Sequence, residues 1–307
     1  MCATRFIVQG NTVLNTKLTC RQKKDDWIIP LLIAATLLTR LPVYRLLKYI
    51  LPERLFTQRW SRKHQGLSVL WYPFIGVLLA AIIAGFIHLL PVLPPLLMAV
   101  FVVSLWVVLT GALHLDGVAD AVDAAFAAHK LPRHNSISAS AVLPDNALCD
   151  NTQALTRIFK DPTAGPMAVV ALVLVLLLKV ILLSAISHTL IWVLILTMVL
   201  SRAAALLLLL TTPYVSSEAT STSGGQIISR YLPKASVAVL LCAIALSVFF
   251  VLPITHAVLL MGVLGSLIVW WRGFWLKAMG GIVGDCIGAL IEFSEVLVLL
   301  VLCLASL

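Results

Sequence analysis

Seven apolar stretches dominate this chain and constrain what it can fold into. Each is about 16–24 residues long, enough for a helix to cross the hydrocarbon core of a bilayer. They lie at 67–90, 96–113, 167–187, 189–211, 235–252, 254–271 and 286–306. An eighth stretch, 28–41, is too short to span and carries Arg40, which favours a re-entrant or interfacial helix. The sequence therefore predicts an all-α, polytopic integral membrane helix bundle with about seven transmembrane helices.

The composition agrees with a membrane protein. Hydrophobic residues make up 61% of the chain and charged residues 11%, which excludes an ordinary soluble domain. A net charge of +9 would suggest nucleic acid for a soluble protein, but basic residues collect on the cytoplasmic side of membrane proteins. We therefore expect a lipid bilayer, and no nucleic acid, as partner. The six cysteines contain no CxxC pair, so neither a zinc site nor a disulfide framework is predicted.

The charges alternate between connections and predict an orientation. The connections near 91–95, 186–190 and 253–256 contain no Lys, Arg, Asp or Glu. Nearly all charges lie in the alternate connections, which are 1–66, 114–166, 212–234 and 272–285. By the positive-inside rule, the charged connections are cytoplasmic.

Two segments lie outside the predicted bundle. Residues 1–26 form a basic extension without the apolar core of a cleavable signal, and we expect a disordered cytoplasmic tail. A polar segment near 129–153, rich in Ser, Asn and Pro, predicts a cytoplasmic loop insertion. The remainder, 27–307, is predicted as one transmembrane catalytic domain.

Three aspartates follow directly on the second apolar stretch. Asp116, Asp120 and Asp123 have the spacing i, i+4 and i+7, which places them on one face of a helix. Their mutual repulsion is relieved if a cation binds, and Mg²⁺ prefers carboxylate oxygens while leaving positions for phosphate oxygens. A solvated acidic helix start is the alternative.

A second polar cluster begins the last apolar stretch. Glycines such as Gly281 would let the backbone approach a phosphate closely. Asp285 and Glu292 are seven residues apart and share a helix face, and Glu295 follows in the same apolar helix. Ionisable groups at such positions usually face a bundle interior or a wet cavity.

Further polar residues are candidates for contacts with an anionic substrate. Arg157, Lys160 and Asp161 precede a span at a predicted cytoplasmic mouth, where positive-inside flanking charge is an equal explanation. Arg202 lies within an apolar stretch. Lys179 is also mid-span, where internal pairing and a phosphate contact remain equally open.

His114 directly precedes the aspartates. It is either a general base or a polar packing residue.

Five motifs occur in this order along the chain: LLTRLPV (37–43), WYPFIG (71–76), LTGALHLDGVADAVDA (109–124), KDPTAGPMAV (160–169) and GGIVGDCIGALIEFSE (280–295). Together they resemble the adenosylcobinamide-GDP ribazoletransferase (cobalamin synthase) family of bacterial inner membranes, over about 27–307.

The resemblance implies a Mg²⁺-dependent transfer. Adenosylcobinamide-GDP and α-ribazole, or its 5′-phosphate, would give adenosylcobalamin, or its 5′-phosphate, and GMP. The expected location is the inner membrane, with the active site facing the cytoplasm. The oligomeric state is left open, a homo-oligomer being one option.

The implied roles follow the motifs. Asp116, Asp120, Asp123 and Asp285 would hold one or two Mg²⁺ ions, and Asp120, Asp123, Asp285 and His114 are the expected catalytic residues. The proton acceptor remains open among Asp123, Asp285, Glu292 and His114. The expected substrate-binding residues are Arg157, Lys160, Asp161, Arg202, Gly281 and Glu292.

Two other functions are considered. A CDP-alcohol phosphotransferase also uses membrane-embedded aspartates, but its longer signature is absent and only LDGVAD is similar. A secondary transporter would carry charged residues along a path through the membrane. This chain instead gathers its acids on one predicted face.

Overall fold

The computed structural model of this protein describes most of the chain. The described residues are 27–43, 45, 49, 61–130, 146–159, 163–186, 190–215 and 224–306. The predicted extension 1–26 lies outside them, as do Lys160 and Asp161.

The described part of the chain is helical, and its only β-type pairing is an isolated bridge between Tyr214 and Ile282. The helices are α1 (Trp27–Leu38), α2 (Arg62–Leu67), α3 (Tyr72–Leu89), α4 (Pro95–Thr110), α5 (Leu113–Lys130), α6 (Asn146–Ile158), α7 (Pro166–Ala185), α8 (Leu190–Thr211), α9 (Gly224–Arg230), α10 (Lys234–Val251), α11 (Ile254–Met279) and α12 (Gly284–Ser306). A 3₁₀ turn, Ser68–Trp71, joins α2 to α3. The all-α prediction is confirmed.

Six helical segments among the described residues are long and apolar enough to cross a membrane. They are the α2–α3 unit, α7, α8, α10, α11 and α12. The count is seven if α4 and α5 form one broken span. The prediction of a polytopic bundle with about seven spans is therefore confirmed.

Two of the predicted spans differ in detail from the observed helices. The stretch 96–113 does not form one helix: α4 ends at Thr110, and α5 leaves at an angle of 86°. Gly111 and Ala112 both adopt positive φ angles, 61° and 57°, which ends the helix. The stretch 254–271 is longer than predicted, because α11 continues to Met279 before Gly280 ends it at φ 73°.

Helix α1 covers the break between α4 and α5. The backbone N–H of Arg40 donates to the carbonyl of Leu109 at 2.9 Å. A Cβ atom at Gly111 would lie 1.8 Å from Arg40 Cγ, so only glycine fits there. The predicted short helix at 28–41 is present as an apolar helix of 12 residues, too short to span by itself.

Helices α8 and α12 form the interior of the bundle. The apolar windows of α8 and α12 are 72% and 67% buried within the protein, whereas that of α10 is 11% buried. Helix α12 packs against α5, α7, α8 and α11. Polar residues on α12 can therefore lie inside the bundle, surrounded by four other helices, whereas most of α10 lies on the outside of the bundle.

Part of the predicted loop insertion is a helix. Helix α6 packs its buried Leu155 inward, and Thr152 donates its hydroxyl to the carbonyl of Met279 at 3.2 Å. Phe159 follows and contacts Trp275, with ring centroids 5.6 Å apart. This segment therefore covers the end of α11, while 131–145 lies outside the described residues.

Candidate acidic site at the contact of two helices

The first three candidate carboxylates lie on α5, directly after the break in the chain. Asp116 is exposed, and Asp120 and Asp123 are half-buried. The neighbouring Val118 and Ala121 are fully buried and pack into the core. The helical spacing predicted from the sequence is therefore present, with the acids along the wetter side of α5.

A close contact between α5 and α12 brings the second cluster to the first. A Cβ atom at Gly117 would lie 2.8 Å from the Asp285 carbonyl oxygen and 3.3 Å from the Ala289 nitrogen. Only glycine permits this approach, because both neighbours are backbone atoms. It places Asp285, in the first turn of α12, beside the α5 aspartates. We refer to Asp116, Asp120, Asp123 and Asp285 as the acid site.

The acid site concentrates four carboxylates, and therefore negative charge, at one place. Within the described residues, no Lys or Arg forms an ion pair with its four carboxylates. Helix α5, which carries three of the four carboxylates, is not by itself one of the six segments that are long and apolar enough to cross a membrane. Partial burial, followed by the carboxylates of Asp285, Asp116 and Asp123, raises the pKa of Asp120 to about 6. A bound cation would relieve this repulsion.

Asp123 has a structural contact of its own. Its Oδ2 accepts a hydrogen bond of 2.6 Å from the backbone N–H of Gly165, which precedes the first residue of α7. A Cβ atom at Gly165 would lie 2.7 Å from Asp123 Oδ1. The third aspartate therefore holds the start of α7 against α5, and its role as a metal ligand stays a prediction.

The donor chemistry of the acid site fits Mg²⁺, which prefers carboxylate oxygens. Nowhere in the described ranges do three or more His, Cys, Asp or Glu side chains form a group that could hold a metal ion. Mg²⁺ usually takes one or two carboxylates and fills its shell with water and substrate phosphates. The acid site offers carboxylates on both sides of the α5–α12 contact. The four-ligand set predicted from the sequence stays a prediction.

His114 lies on the inner side of the same helix. Its side chain is buried, and its Nε2 has no hydrogen-bond partner among the described residues. A Cβ atom at Gly288 would lie 3.4 Å from His114 Cα, which shows how closely α12 covers it. His114 is thus adjacent to the acid site but enclosed by protein.

Arg202 and Glu292 are not brought to the acid site. Both are buried inside the bundle, where Glu292 Oε2 pairs with Lys179 Nζ at 2.6 Å and Arg202 Nη1 pairs with Glu295 Oε1. Lys179 also pairs with Glu295 Oε2 at 2.5 Å. Of the two explanations left open for Lys179, internal pairing is the one observed. The substrate-binding roles of Arg202 and Glu292 stay predictions.

The remaining candidates differ in position. Arg157 is exposed near the end of α6. Gly281 contacts backbone rather than open space, since a Cβ atom there would lie 2.4 Å from the Pro213 carbonyl oxygen. The Ile282 N–H donates to that carbonyl at 3.0 Å. The need for glycine at 281 is therefore explained by chain packing, and its contact with a phosphate stays a prediction.

Sequence reasoning did not single out Tyr214. The bridge to Ile282 holds Tyr214 beside the start of α12. A Cβ atom at Gly284 would lie 3.6 Å from its hydroxyl oxygen, and one at Gly225 would lie 2.3 Å from its ring. A half-buried tyrosine therefore forms a wall one residue from Asp285. No local pattern indicates this, because the contact joins three separate segments.

Comparison with known proteins decides the family. The family model for cobalamin-5-phosphate synthase matches residues 30–139 and 145–303, which include the acid site and the paired charges of α7, α8 and α12. This chain belongs to the cobalamin-5-phosphate synthase family.

Two curated relatives of this cobalamin-5-phosphate synthase family member are named adenosylcobinamide-GDP ribazoletransferase. The protein of Pseudomonas paraeruginosa is 40% identical over 276 residues, covering 89% of this chain and 97% of the relative. The protein of Pseudomonas savastanoi pv. phaseolicola is 36% identical over 279 residues, covering 90% and 100%. No solved structure matches the chain. The family assignment made from the five motifs is confirmed.

Proposed function

We propose that this protein transfers the cobinamide phosphate of adenosylcobinamide-GDP to α-ribazole or to its 5′-phosphate, with release of GMP. Support comes from the family match and from relatives named for this transfer. The close approach of α5 and α12 at Gly117 connects this function with particular residues, because it brings Asp285 beside the α5 helix that carries Asp116 and Asp120. Such a site suits the binding of a diphosphate through a shared cation.

The reaction is a substitution at phosphorus. A ribose hydroxyl oxygen of the nucleoside forms a bond to the phosphorus attached to cobinamide, while the bond from that phosphorus to the GMP oxygen breaks. The hydroxyl proton passes to a base, and the electron pair of the broken bond leaves on GMP. Most of the catalytic effect in such transfers comes from positioning and charge stabilisation.

We propose Mg²⁺ as the cofactor, held by carboxylates of the acid site. Bound there, it would neutralise charge on the diphosphate and on the leaving GMP. The supporting observations are the chemistry of the donors and the uncompensated charge around Asp120. Asp116 and Asp120 on α5 and Asp285 in the first turn of α12 lie beside the contact at Gly117, and they are the proposed ligands.

Four residues are candidates for accepting the hydroxyl proton. Glu292 is buried and ion-paired with Lys179, and His114 is enclosed under α12. Asp123 and Asp285 lie at the acid site and are only partly buried. We therefore propose Asp123 or Asp285 as the base. Arg157 at the end of α6, and Lys160 beyond it, remain our proposed phosphate contacts.

We propose a cytoplasmic orientation of the acid site in a bacterial inner membrane. The protein has several helices suited to crossing a bilayer, and the bare connections alternate with the basic ones. The acid site belongs to the side that carries the basic connections. A nucleotide-linked corrinoid substrate supplied in the cytoplasm would reach it there.

The test uses purified protein reconstituted in lipid nanodiscs. Adenosylcobinamide-GDP is supplied with Mg²⁺ and with α-ribazole or its 5′-phosphate as the acceptor, and GMP and the corrinoid product are measured by chromatography. Formation of GMP and corrinoid product in equal amounts supports the proposal, and omission of the acceptor is the control for simple hydrolysis. Failure of the protein to form the corrinoid product with either acceptor would refute it.

A further inference from the structure

Four buried charges form a second polar cluster, deeper in the bundle than the acid site. We call Lys179, Arg202, Glu292 and Glu295 the ion network. Their side chains are at most 3% exposed. Two cations and two carboxylates balance formally, so the network can persist without an external ion. It joins α7, α8 and α12.

The contacts of the network are dense. Lys179 Nζ bridges Glu292 and Glu295 at 2.6 and 2.5 Å, and it lies 4.6 Å from the centroid of the Trp106 ring on α4. Arg202 Nη1 donates to Glu295 and also to Ser201 Oγ at 2.9 Å. Lys179 therefore contacts α12 through its two carboxylate partners and α4 through the face of the Trp106 ring.

The network shares α12 with the acid site and reaches α5 through α7. Glu292 is two helical turns from Asp285 on α12, a rise of about 10 Å. Lys179 is on α7, whose start is held by the hydrogen bond from Gly165 to Asp123. Helix α7 is thus tied to α5 at one point and to α12 at another. The two acid-bearing helices are therefore connected through α7 as well as by their direct contact.

We propose that the ion network positions the start of α12, and with it Asp285, against α5, so that Lys179 is a positioning residue for the transfer. The proposal rests on the proposed function for its kinetic test. Lys179 acts through Glu292 and Glu295 and does not itself contact substrate, because it is buried and both its carboxylate partners are within hydrogen-bond distance. Loss of the bridge would displace Asp285 without removing any acid-site carboxylate.

The kinetic test compares Lys179→Met, Lys179→Arg and the double variant Lys179→Met/Glu292→Met. A displaced catalytic group acts mainly on kcat, so Lys179→Met should lower kcat about 100-fold, with little change in KM. Lys179→Arg, which keeps the cation, should recover much of that loss. Lys277→Met is the matched control, since Lys277 is an exposed lysine on α11 outside the network.

The double variant separates positioning from stability. Removing one cation and one carboxylate together leaves no buried charge unpaired, because Arg202 still pairs with Glu295. We expect the double variant to recover the melting temperature lost in Lys179→Met but not its kcat. Recovery of both the melting temperature and kcat in the double variant would overturn the proposal. An unchanged kcat in Lys179→Met, or an effect confined to a higher KM, would overturn it too. If Lys179→Met does not fold, the kcat of the folded double variant is compared directly with that of the wild type.

An activity-independent measurement distinguishes failure of this inference from failure of the proposed function. Cysteines replace His114 and Gly288, whose backbones are in contact, in protein from which the six natural cysteines are removed. A disulfide forms only when the Cβ atoms approach within about 3.5–4.5 Å. Oxidative cross-linking should be fast with Lys179 present and several-fold slower in the double variant. Equal rates would overturn the positioning role even if the wild type shows no transfer.

Discussion

Asp123 accepts a hydrogen bond of 2.6 Å from the backbone N–H of Gly165, so an aspartate of the acid site also holds the start of the next helix. The contact joins residues 42 positions apart and seats α7 on α5. Through Lys179, the same α7 is paired with α12. The carboxylate cluster and the buried ion network are therefore mechanically connected.

Substitutions of Asp123 should separate its two roles. Asp123→Asn keeps an oxygen acceptor for Gly165, whereas Asp123→Ala removes it and should destabilise the fold by about 1.5–3 kcal/mol, the range for a hydrogen bond to a charged group. If Asp123 also binds Mg²⁺ or accepts the proton, Asp123→Asn loses GMP release with little loss of stability. Thermal unfolding in detergent and the transfer assay measure the two effects. Equal stability of the Asn and Ala variants would contradict the structural role.

Gly117→Ala should disrupt the acid site without altering a charge. The new Cβ would lie 2.8 Å from the Asp285 carbonyl oxygen, so α5 and α12 must move apart. Overpacking of this kind costs about 1–3 kcal/mol, and we expect GMP release to fall at least about tenfold because Asp285 shifts. Gly85→Ala is the control, since that α3 position has open space around it. Wild-type transfer by Gly117→Ala would show that the close contact is unnecessary.

Asp120→Asn should stabilise the metal-free protein and inactivate it. Burial and neighbouring carboxylates raise the pKa of Asp120 to about 6. Above that pH the carboxyl is ionised, and its negative charge lowers the free energy of unfolding. At pH 7.5 in EDTA the Asn variant should melt higher than the wild type. The difference should shrink as the pH falls from about 6 towards 4, because the wild-type carboxyl becomes protonated. A lower melting temperature at pH 7.5 would argue against the charge repulsion.

The same variant should lose catalysis. Removing one carboxylate from the proposed Mg²⁺ site is expected to lower GMP release about 100-fold or more, comparable to loss of one electrostatic contact to a transition state. The transfer assay at saturating Mg²⁺ measures this. Near-normal, Mg²⁺-dependent release from Asp120→Asn would exclude Asp120 as a ligand.

Removal of divalent cations should stop the transfer reversibly. The acid-site carboxylates lack a cationic partner among the described residues, so EDTA should leave them without a counter-charge and abolish GMP release, while helix packing keeps the protein folded. Added Mg²⁺ should restore it, whereas Ca²⁺ should do so poorly because it takes more ligands at longer distances. GMP release and thermal unfolding are followed on one preparation. Full activity in EDTA would refute the metal proposal.

Several features were predictable because they depend on short stretches of chain. The length of the apolar stretches predicts the helices, and the i, i+4, i+7 spacing of Asp116, Asp120 and Asp123 places them together on one helix. The break at Gly111 was missed inside a predicted span. Ala112 shares the positive φ there, and its residue type gives no signal for it. The resemblance of five motifs was sufficient to identify the family, and the family model confirms that identification.

The sequence by itself determined the membrane class, the acid spacing and the family, since hydropathy and helical periodicity are local properties. Only the tertiary structure decided that Lys179 pairs with Glu292, 113 residues away, and that Gly281 meets the Pro213 carbonyl. It also decided that Arg202 pairs with Glu295 inside the bundle, away from the acid site. The physical reason is that a buried charge takes whichever partner helix packing places within reach, and packing depends on contacts between distant segments.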